Sequence, residues 1–232
     1  MITLRKADER GGMEIDWLKT RHSFSFGRYY DPRHMGFRSL RVINDDVIAP
    51  SGGFPMHPHD NMEIVTYVTA GTLDHEDSMG NRESIRRGEV QRMSAGTGVV
   101  HSEFNPSPDE ETRLLQIWLL PAKNGIEPGY EQKRFSDDEK RDRLRLIVSP
   151  NADDGTMTMH QDAFLYASIL GAGKELQHAL APGRHAWIQI VAGAMDVNGQ
   201  TLRTGDGAAV SEETELRFRA DEETEFLLFD LA

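Results

Sequence analysis

The sequence predicts an all-β protein built as a duplicated barrel. Three observations carry this expectation. Short segments rich in β-branched and aromatic residues recur between glycines and turn residues, no long segment has helical periodicity, and the two halves of the chain repeat one order of strands and glycines. At 232 residues the chain is long enough for one large domain or two small ones, each able to bury a core without staples.

The strands follow from local pattern. Met62–Val68 is β-branched and apolar, Leu114–Leu120 ends at Pro121, and Leu144–Val148 ends at Ser149-Pro150. Ala186–Val191 and Glu225–Phe229 have the same character. Ser136–Arg143 is the one stretch that suits a short charged helix. In the first half a strand runs into Gly71, then Thr72-Leu73-Asp74-His75, a turn at Gly80-Asn81, and Gly88-Glu89. In the second half a strand runs into Gly193, then Ala194-Met195-Asp196-Val197, a turn at Asn198-Gly199, and Gly205-Asp206. Glycine at such corners suits a positive φ. The boundary is expected in the Pro-, Gly- and charge-rich stretch Pro121–Asp142, giving domains over 1–135 and 136–232.

Composition excludes several classes of function. There are no cysteines, so disulfides, zinc–thiolate sites and iron–sulfur clusters are ruled out and any metal must take nitrogen and oxygen ligands. The formal charge of -12 argues against direct nucleic-acid binding, and the short basic clusters Arg86-Arg87 and Arg141–Arg145 read as solvated faces. Met1–Lys6 has no apolar stretch behind its charges and no segment reaches membrane-span length, so neither a signal peptide nor a membrane span is expected and a cytoplasmic protein is the default. P-loop, His-Glu-x-x-His and Gly-x-Ser-x-Gly motifs are absent.

The chemistry concentrates in two short segments. In Phe54-Pro55-Met56-His57-Pro58-His59, residues two apart on a strand share a face, so His57 and His59 point the same way. Glu63 joins them if the strand stays regular. Pro58 stiffens the pair and suggests an edge or irregular strand. Further on, His101 and Glu103 have the same spacing within Gly96–Asn105. A small barrel brings distant strands to one cavity. The sum is three neutral imidazoles and a carboxylate, a donor set for Fe(II), Mn(II), Ni(II), Co(II) or Zn(II) that leaves room for exchangeable ligands.

The segments resemble the two motifs of the cupin superfamily. The first reads His57-x-His59-x-x-x-Glu63 followed by Gly71, and the second reads Gly88, Gly96 and His101-x-x-x-Asn105. Phe24-Ser25-Phe26, Tyr29-Tyr30-Asp31-Pro32, Leu40–Asp46, His57-Pro58-His59, His75-Glu76-Asp77, Met93–Gly98 and His160-Gln161-Asp162 together resemble the pirin family across essentially the whole chain. Ser94 stands where the general second motif has proline, as in pirin-like chains. The resemblance is closest to bacterial pirin-like proteins with quercetin 2,3-dioxygenase activity. It implies two facing cupin barrels (double-stranded β-helices), with metal only in the amino-terminal one. It also implies that His57, His59, His101 and Glu103 are the ligands, with Glu63 a fallback or a hydrogen-bond partner.

The expected cofactor is one divalent transition ion per chain, Fe(II) first, with Ni, Co, Mn, Zn or Cu as alternatives. The expected reaction is oxygen-dependent cleavage of a flavonol such as quercetin with release of carbon monoxide. Glu103 takes the substrate hydroxyl proton. The competing expectation is a non-enzymatic, metal-binding regulatory protein acting through protein partners, and a third is a metal-assisted isomerase or hydrolase on the same ligands. A monomer is expected. The remaining histidines read as structural: His75 as a polar structural residue, His178 and His185 as loop or surface residues, His22 and His34 as core or surface residues, and His160 as part of a motif with no evident metal partner. Phe24, Phe26, Tyr29 and Tyr30 read as barrel packing.

Overall fold

The structure is a computed structural model that describes residues 1–152 and 155–232. The described residues divide into two compact units. The amino-terminal unit holds Gly11–Arg134 with Met157–Gln161, and the carboxy-terminal unit holds Met1–Arg10, Phe135–Thr156 and Asp162–Ala232. A plain division at residue 135 therefore misses the first ten residues. Ile2–Arg5 pairs antiparallel with Gly207–Val210, with Ile2 opposite Val210 and Arg5 opposite Gly207. That ladder joins opposite ends of the chain, and no local pattern records it.

Each unit is an antiparallel barrel of two sheets, as expected for a cupin. In the amino-terminal unit a seven-stranded sheet runs in the order Gly129–Arg134, Glu89–Ser94, Glu63–Ala70, Thr112–Leu119, Leu40–Ile48, Leu18–His22, Gly11–Ile15. It is closed by a four-stranded sheet in the order Gly53–His59, Val99–Phe104, Thr72–Asp77, Arg82–Arg86. In the carboxy-terminal unit one sheet runs Ile2–Arg5, Gly207–Val210, His185–Ala192, Thr224–Leu231, Ala163–Leu170, Arg145–Ser149. Its partner sheet runs Glu175–Ala179, Glu215–Ala220, Ala194–Val197, Gln200–Arg203. The helix anticipated over Ser136–Arg143 is a single turn, Asp137–Lys140. It is capped reciprocally by Ser136 and Glu139, which satisfies two N–H groups at its start. Among the described residues, no helix is long and apolar enough to cross a membrane.

The duplication reaches into the packing of the corner glycines. Gly71 has φ +74°, and a Cβ on it would lie 2.7 Å from the Glu111 carbonyl oxygen and 2.9 Å from Thr112 Oγ1. Gly193 has φ +94°, and a Cβ there would lie 2.4 Å from the Glu223 carbonyl oxygen and 2.6 Å from Thr224 Oγ1. Both threonines donate to a backbone carbonyl, Thr112 to Thr72 at 2.6 Å and Thr224 to Ala194 at 2.9 Å. Backbone approach and positive φ together exclude a side chain at either corner.

The two interiors differ. The carboxy-terminal barrel is filled by one apolar cluster that includes Leu170, Ile188, Ile190, Met195, Phe218, Phe226 and Leu228. Each such side chain contributes about 1.5–3 kcal/mol of burial free energy. The amino-terminal barrel has an apolar plug of Leu18, Ile48, Val68, Leu73, Ile85 and Leu114. Beyond the plug, strand register lines up a polar rung: His22 opposite Asn44, Asn44 opposite Gln116, Gln116 opposite Thr66, and Thr66 opposite Gln91. All five are buried. Buried polar groups are stable only when hydrogen-bonded, so this rung marks where the barrel gives up packing for chemistry.

Candidate metal centre

The four candidate residues come from the two strands that the motif spacing pointed to. Gly53–His59 pairs with Val99–Phe104, placing His57 directly opposite His101. Gly53–His59 is an edge strand of its sheet, as Pro58 suggested, and an edge tolerates residues without a ladder N–H. The register shifts between His101 and Glu103, so Glu103 lies opposite Phe54. Ring centroids of His57 and His59 are 4.8 Å apart, of His57 and His101 4.4 Å, and of His59 and His101 4.9 Å.

Glu63 lies elsewhere. The strand does not continue past His59. Asn61 turns the chain with φ +47°, and Glu63 opens a strand of the other sheet. Its buried carboxylate accepts from Ser94 Oγ at 2.9 Å and from the His160 backbone N–H at 3.3 Å, with His160 Nδ1 3.4 Å away. This supplies the partner that His160 lacked in the sequence, and it is a carboxylate rather than a metal. Asn105, the last residue of the second motif, donates to the backbone carbonyls of Ile48, Ala49 and Glu110 and so ties down the chain after the strand.

Electrostatics prepares the imidazoles to donate lone pairs. Burial, then repulsion from His57, pulls the His59 pKa down to about 4. Burial, then His57, His59 and His75, pulls His101 further down. A metal therefore meets His59 and His101 as neutral rings without competing protons. His57 Nδ1 donates to the Pro55 carbonyl oxygen at 2.8 Å, which leaves Nε2 as its lone pair. His101 Nε2 is buried without a hydrogen-bond partner, and a buried lone pair of this kind is stabilised by coordination to a cation. Ligand nitrogens of His57, His59 and His101 lie within 4.8 Å of one another. The donor set fits a divalent transition ion.

Glu103 is held by the polar rung. Gln116 Nε2 donates to both its oxygens, at 3.1 and 3.0 Å, and Thr66 Oγ1 lies 3.4 Å from Oε1. Burial nevertheless pushes its pKa up to about 7, against the pull of these two donors. Its oxygens group within 4.8 Å with His75 and His101 rather than with all three histidines, so in this conformation it reaches the cluster through His101.

The cluster opens onto a cavity of about 940 Å³ lined by Phe26, Tyr29, Trp118, Asn44, Asp46 and Gln116, among others. Phe26 meets Trp118 edge-on with centroids 5.3 Å apart, and Trp118 meets His59 edge-on at 4.9 Å. Sequence reasoning assigned Phe26 and Tyr29 to packing. The structure puts both on the cavity wall, while Phe24 is buried in the core and Tyr30 is 72% exposed. His22 also lines the cavity. The two histidines assigned to loops or surface are in strands. His178 is half-buried and pairs with Asp230 at 2.9 Å, and His185 contacts Ser211 Oγ at 2.8 Å. Spacing alone could not have found these, because neither has a second histidine or a carboxylate two residues away in the chain.

Asp46 offers a test of how dry this interior is. Burial pushes its pKa up to about 7, opposed by Thr20 and reinforced by the charges of Glu103 and Asp45. A carboxyl whose folded pKa lies above its unfolded value binds more protons when folded. Stability is then highest at low pH and falls as pH rises from about 4 to about 7. Asp46→Asn should therefore melt higher than wild type at pH 8 and at nearly the same temperature at pH 4. Equal midpoints at pH 8 would contradict the burial argument.

Comparison with known proteins agrees with this architecture. A family model described as pirin matches residues 3–119, and one described as the quercetinase C-terminal cupin domain matches residues 146–231. A quercetin 2,3-dioxygenase of Escherichia coli (strain K12) is 50% identical over 231 residues, spanning 100% of this chain and 99% of its own. A pirin-like protein of Caulobacter vibrioides is 40% identical over 233 residues, spanning 100% of both chains. The crystal structure of the bacterial pirin YhhW from Escherichia coli in complex with nickel(II) superposes with a TM-score of 0.96 at 50% identity, covering 100% of this chain and 99% of that one. With two barrels, both motifs in place and relatives aligned end to end, the chain belongs to the pirin family.

Proposed function

We propose that the protein is a metal-dependent dioxygenase that cleaves a flavonol such as quercetin, with His57, His59, His101 and Glu103 holding one divalent transition ion. The observation that carries this proposal is the convergence of three imidazoles at the wall of a cavity of about 940 Å³. That volume is in the range of small-molecule sites. Two of the similar proteins named above are a quercetin 2,3-dioxygenase and a nickel complex, which supports both halves of the proposal. Fe(II) is the first candidate, and Ni, Co, Mn, Zn and Cu suit the same donors.

A bound divalent ion supplies Lewis acidity, which lowers the pKa of a chelated hydroxyl. The protein's own groups do the rest. Glu103, as a loosely held carboxylate ligand, takes the proton of the flavonol 3-hydroxyl. Gln116 and Thr66 hold its carboxylate in place while it does so. Phe26, Tyr29 and Trp118 offer flat apolar surface to the fused rings and keep water from the electron-rich enolate. The reaction these groups would serve takes up one dioxygen per flavonol, leaves its two oxygen atoms on the carbons flanking the hydroxyl-bearing one, and breaks both bonds to that carbon, which departs as carbon monoxide.

The test is consumption of quercetin by metal-loaded protein with and without oxygen. Loss of the flavonol absorbance should require oxygen and be matched by oxygen uptake. Equal rates in air and under argon, or no turnover with any of the candidate metals, would sink the proposal.

A further inference from the structure

We propose that a buried carboxylate–imidazole pair, Asp77 and His75, selects the tautomer of His101 and so decides which of its ring nitrogens is available to a metal; this builds on His101 being a ligand, as proposed above. His75 is 2% exposed, and neither it nor Asp77 belongs to the donor set assigned so far.

The chain of reasoning starts at Asp77. Its carboxylate receives N–H donors from the Met79 backbone at 2.9 Å, the Asn81 backbone at 3.1 Å and Asn81 Nδ2 at 2.8 and 3.1 Å. A carboxylate surrounded by donors only accepts. His75 Nε2 lies 3.0 Å from Asp77 Oδ2, so Nε2 must carry the hydrogen. A neutral imidazole has one N–H, which leaves His75 Nδ1 as a lone pair.

Two groups approach that lone pair. Gln91 Nε2 is 3.1 Å away, and His101 Nδ1 is 3.4 Å away, the longest link of the chain. Both must donate. The amide of Gln91 is oriented accordingly, with its nitrogen toward His75. His101 therefore carries its hydrogen on Nδ1 and keeps its lone pair on Nε2. Nε2 is the atom of His101 that is buried without a hydrogen-bond partner. The order of protons Asp77←His75←His101 thus points one lone pair at the cluster.

His57 reaches the same outcome by a different route, since its Nδ1 donates to the Pro55 carbonyl oxygen at 2.8 Å. On the exposed edge strand a backbone carbonyl suffices. His101 lies on an interior strand whose carbonyls are committed to ladders on both sides, so its acceptor has to be a side chain. Register places the pair for that task, with Asp77 opposite His101 and His75 two residues along, opposite Glu103. Tyr130 covers the outer side of His75 with ring centroids 5.0 Å apart, which holds the imidazole in its plane. His75 and Asp77 are positioning residues. Partners of this kind are typically worth about 10–100-fold in metal affinity.

The test reads the tautomer directly. Full-length protein labelled with 15N-histidine is stripped of metal by chelation, and long-range proton–nitrogen correlations report which ring nitrogen is protonated. Wild type should show His101 protonated on Nδ1 and His75 on Nε2. In Asp77→Asn the amide can donate to His75 Nε2 and reverse the chain. That variant should lose the single His101 tautomer and bind Ni(II), measured by chelator competition, about 10–100-fold more weakly, with the metal-free melting temperature little changed. His75→Leu should weaken binding similarly, whereas His75→Gln, which restores a carbonyl acceptor, should recover affinity close to wild type. If His75→Leu does not fold, the wild-type spectrum and Asp77→Asn still decide. His101 protonated on Nε2 in the metal-free wild type, or unchanged Ni(II) affinity in Asp77→Asn, overturns the inference. His101→Ala separates the two proposals: undiminished Ni(II) binding by that variant overturns the ligand assignment instead.

Discussion

The His101→Ala protein is expected to bind a divalent transition metal about a hundredfold or more weakly than wild type and to lose flavonol turnover with it. The magnitude follows from the sites of small metalloproteins, where four ligands together contribute roughly 10–16 kcal/mol, or about 3 kcal/mol each. His101 has no substitute. His57 and His59 come from one strand, and His101 alone among the imidazoles brings the opposing strand into the cluster. Its removal also takes away the one residue common to the three-histidine group and the group that holds Glu103. Losing a buried imidazole leaves a cavity, yet it also removes a nitrogen that had no hydrogen-bond partner, so the fold should suffer less than the metal site. Metal analysis after dialysis, with unfolding followed on the same samples, checks this. Full metal content together with wild-type turnover would contradict the assignment.

Glu103→Gln should lower kcat by about 10²–10⁴ while much of the metal is retained. Glutamine matches the shape of the carboxylate, and its amide can turn to face Gln116 and Thr66, so the polar rung survives. What is lost is a carboxylate able to take a proton. The amide oxygen is also a weaker donor to a cation than a carboxylate, so affinity should fall, though by less than in His101→Ala. Turnover at saturating quercetin, normalised to metal content, separates the two losses. A kcat within a few-fold of wild type at full occupancy would remove Glu103 from the proton step.

How far the sequence could be read depended on whether the signal was local. The strands around Ile64, Ile117, Ile147, Ile188 and Leu227 were visible because β-branched runs between turn residues need no distant partner to be recognised. His57 and His59 were visible because the strand period of two puts them on one face whatever that strand pairs with. The same period misled at Glu63, where one turn at Asn61 moves the next strand into another sheet. The polar rung from His22 to Gln91 was not visible. Its residues sit one to a strand, and only five strands in register turn them into a row. His75 read as a structural polar residue for the same reason.

By itself, then, the sequence determined the all-β architecture, its duplication and the pair of histidine motifs, because period, glycine placement and ligand spacing are properties of a few adjacent residues. Only the tertiary structure decided that Glu103 shares an interior with the imidazoles and Glu63 does not, and that Phe26 and Tyr29 face a cavity. It also decided that Asp77 and His75 stand behind His101. Each of these depends on ladder register between strands far apart in the chain, and a shift of one residue would turn every one of those side chains to the opposite face.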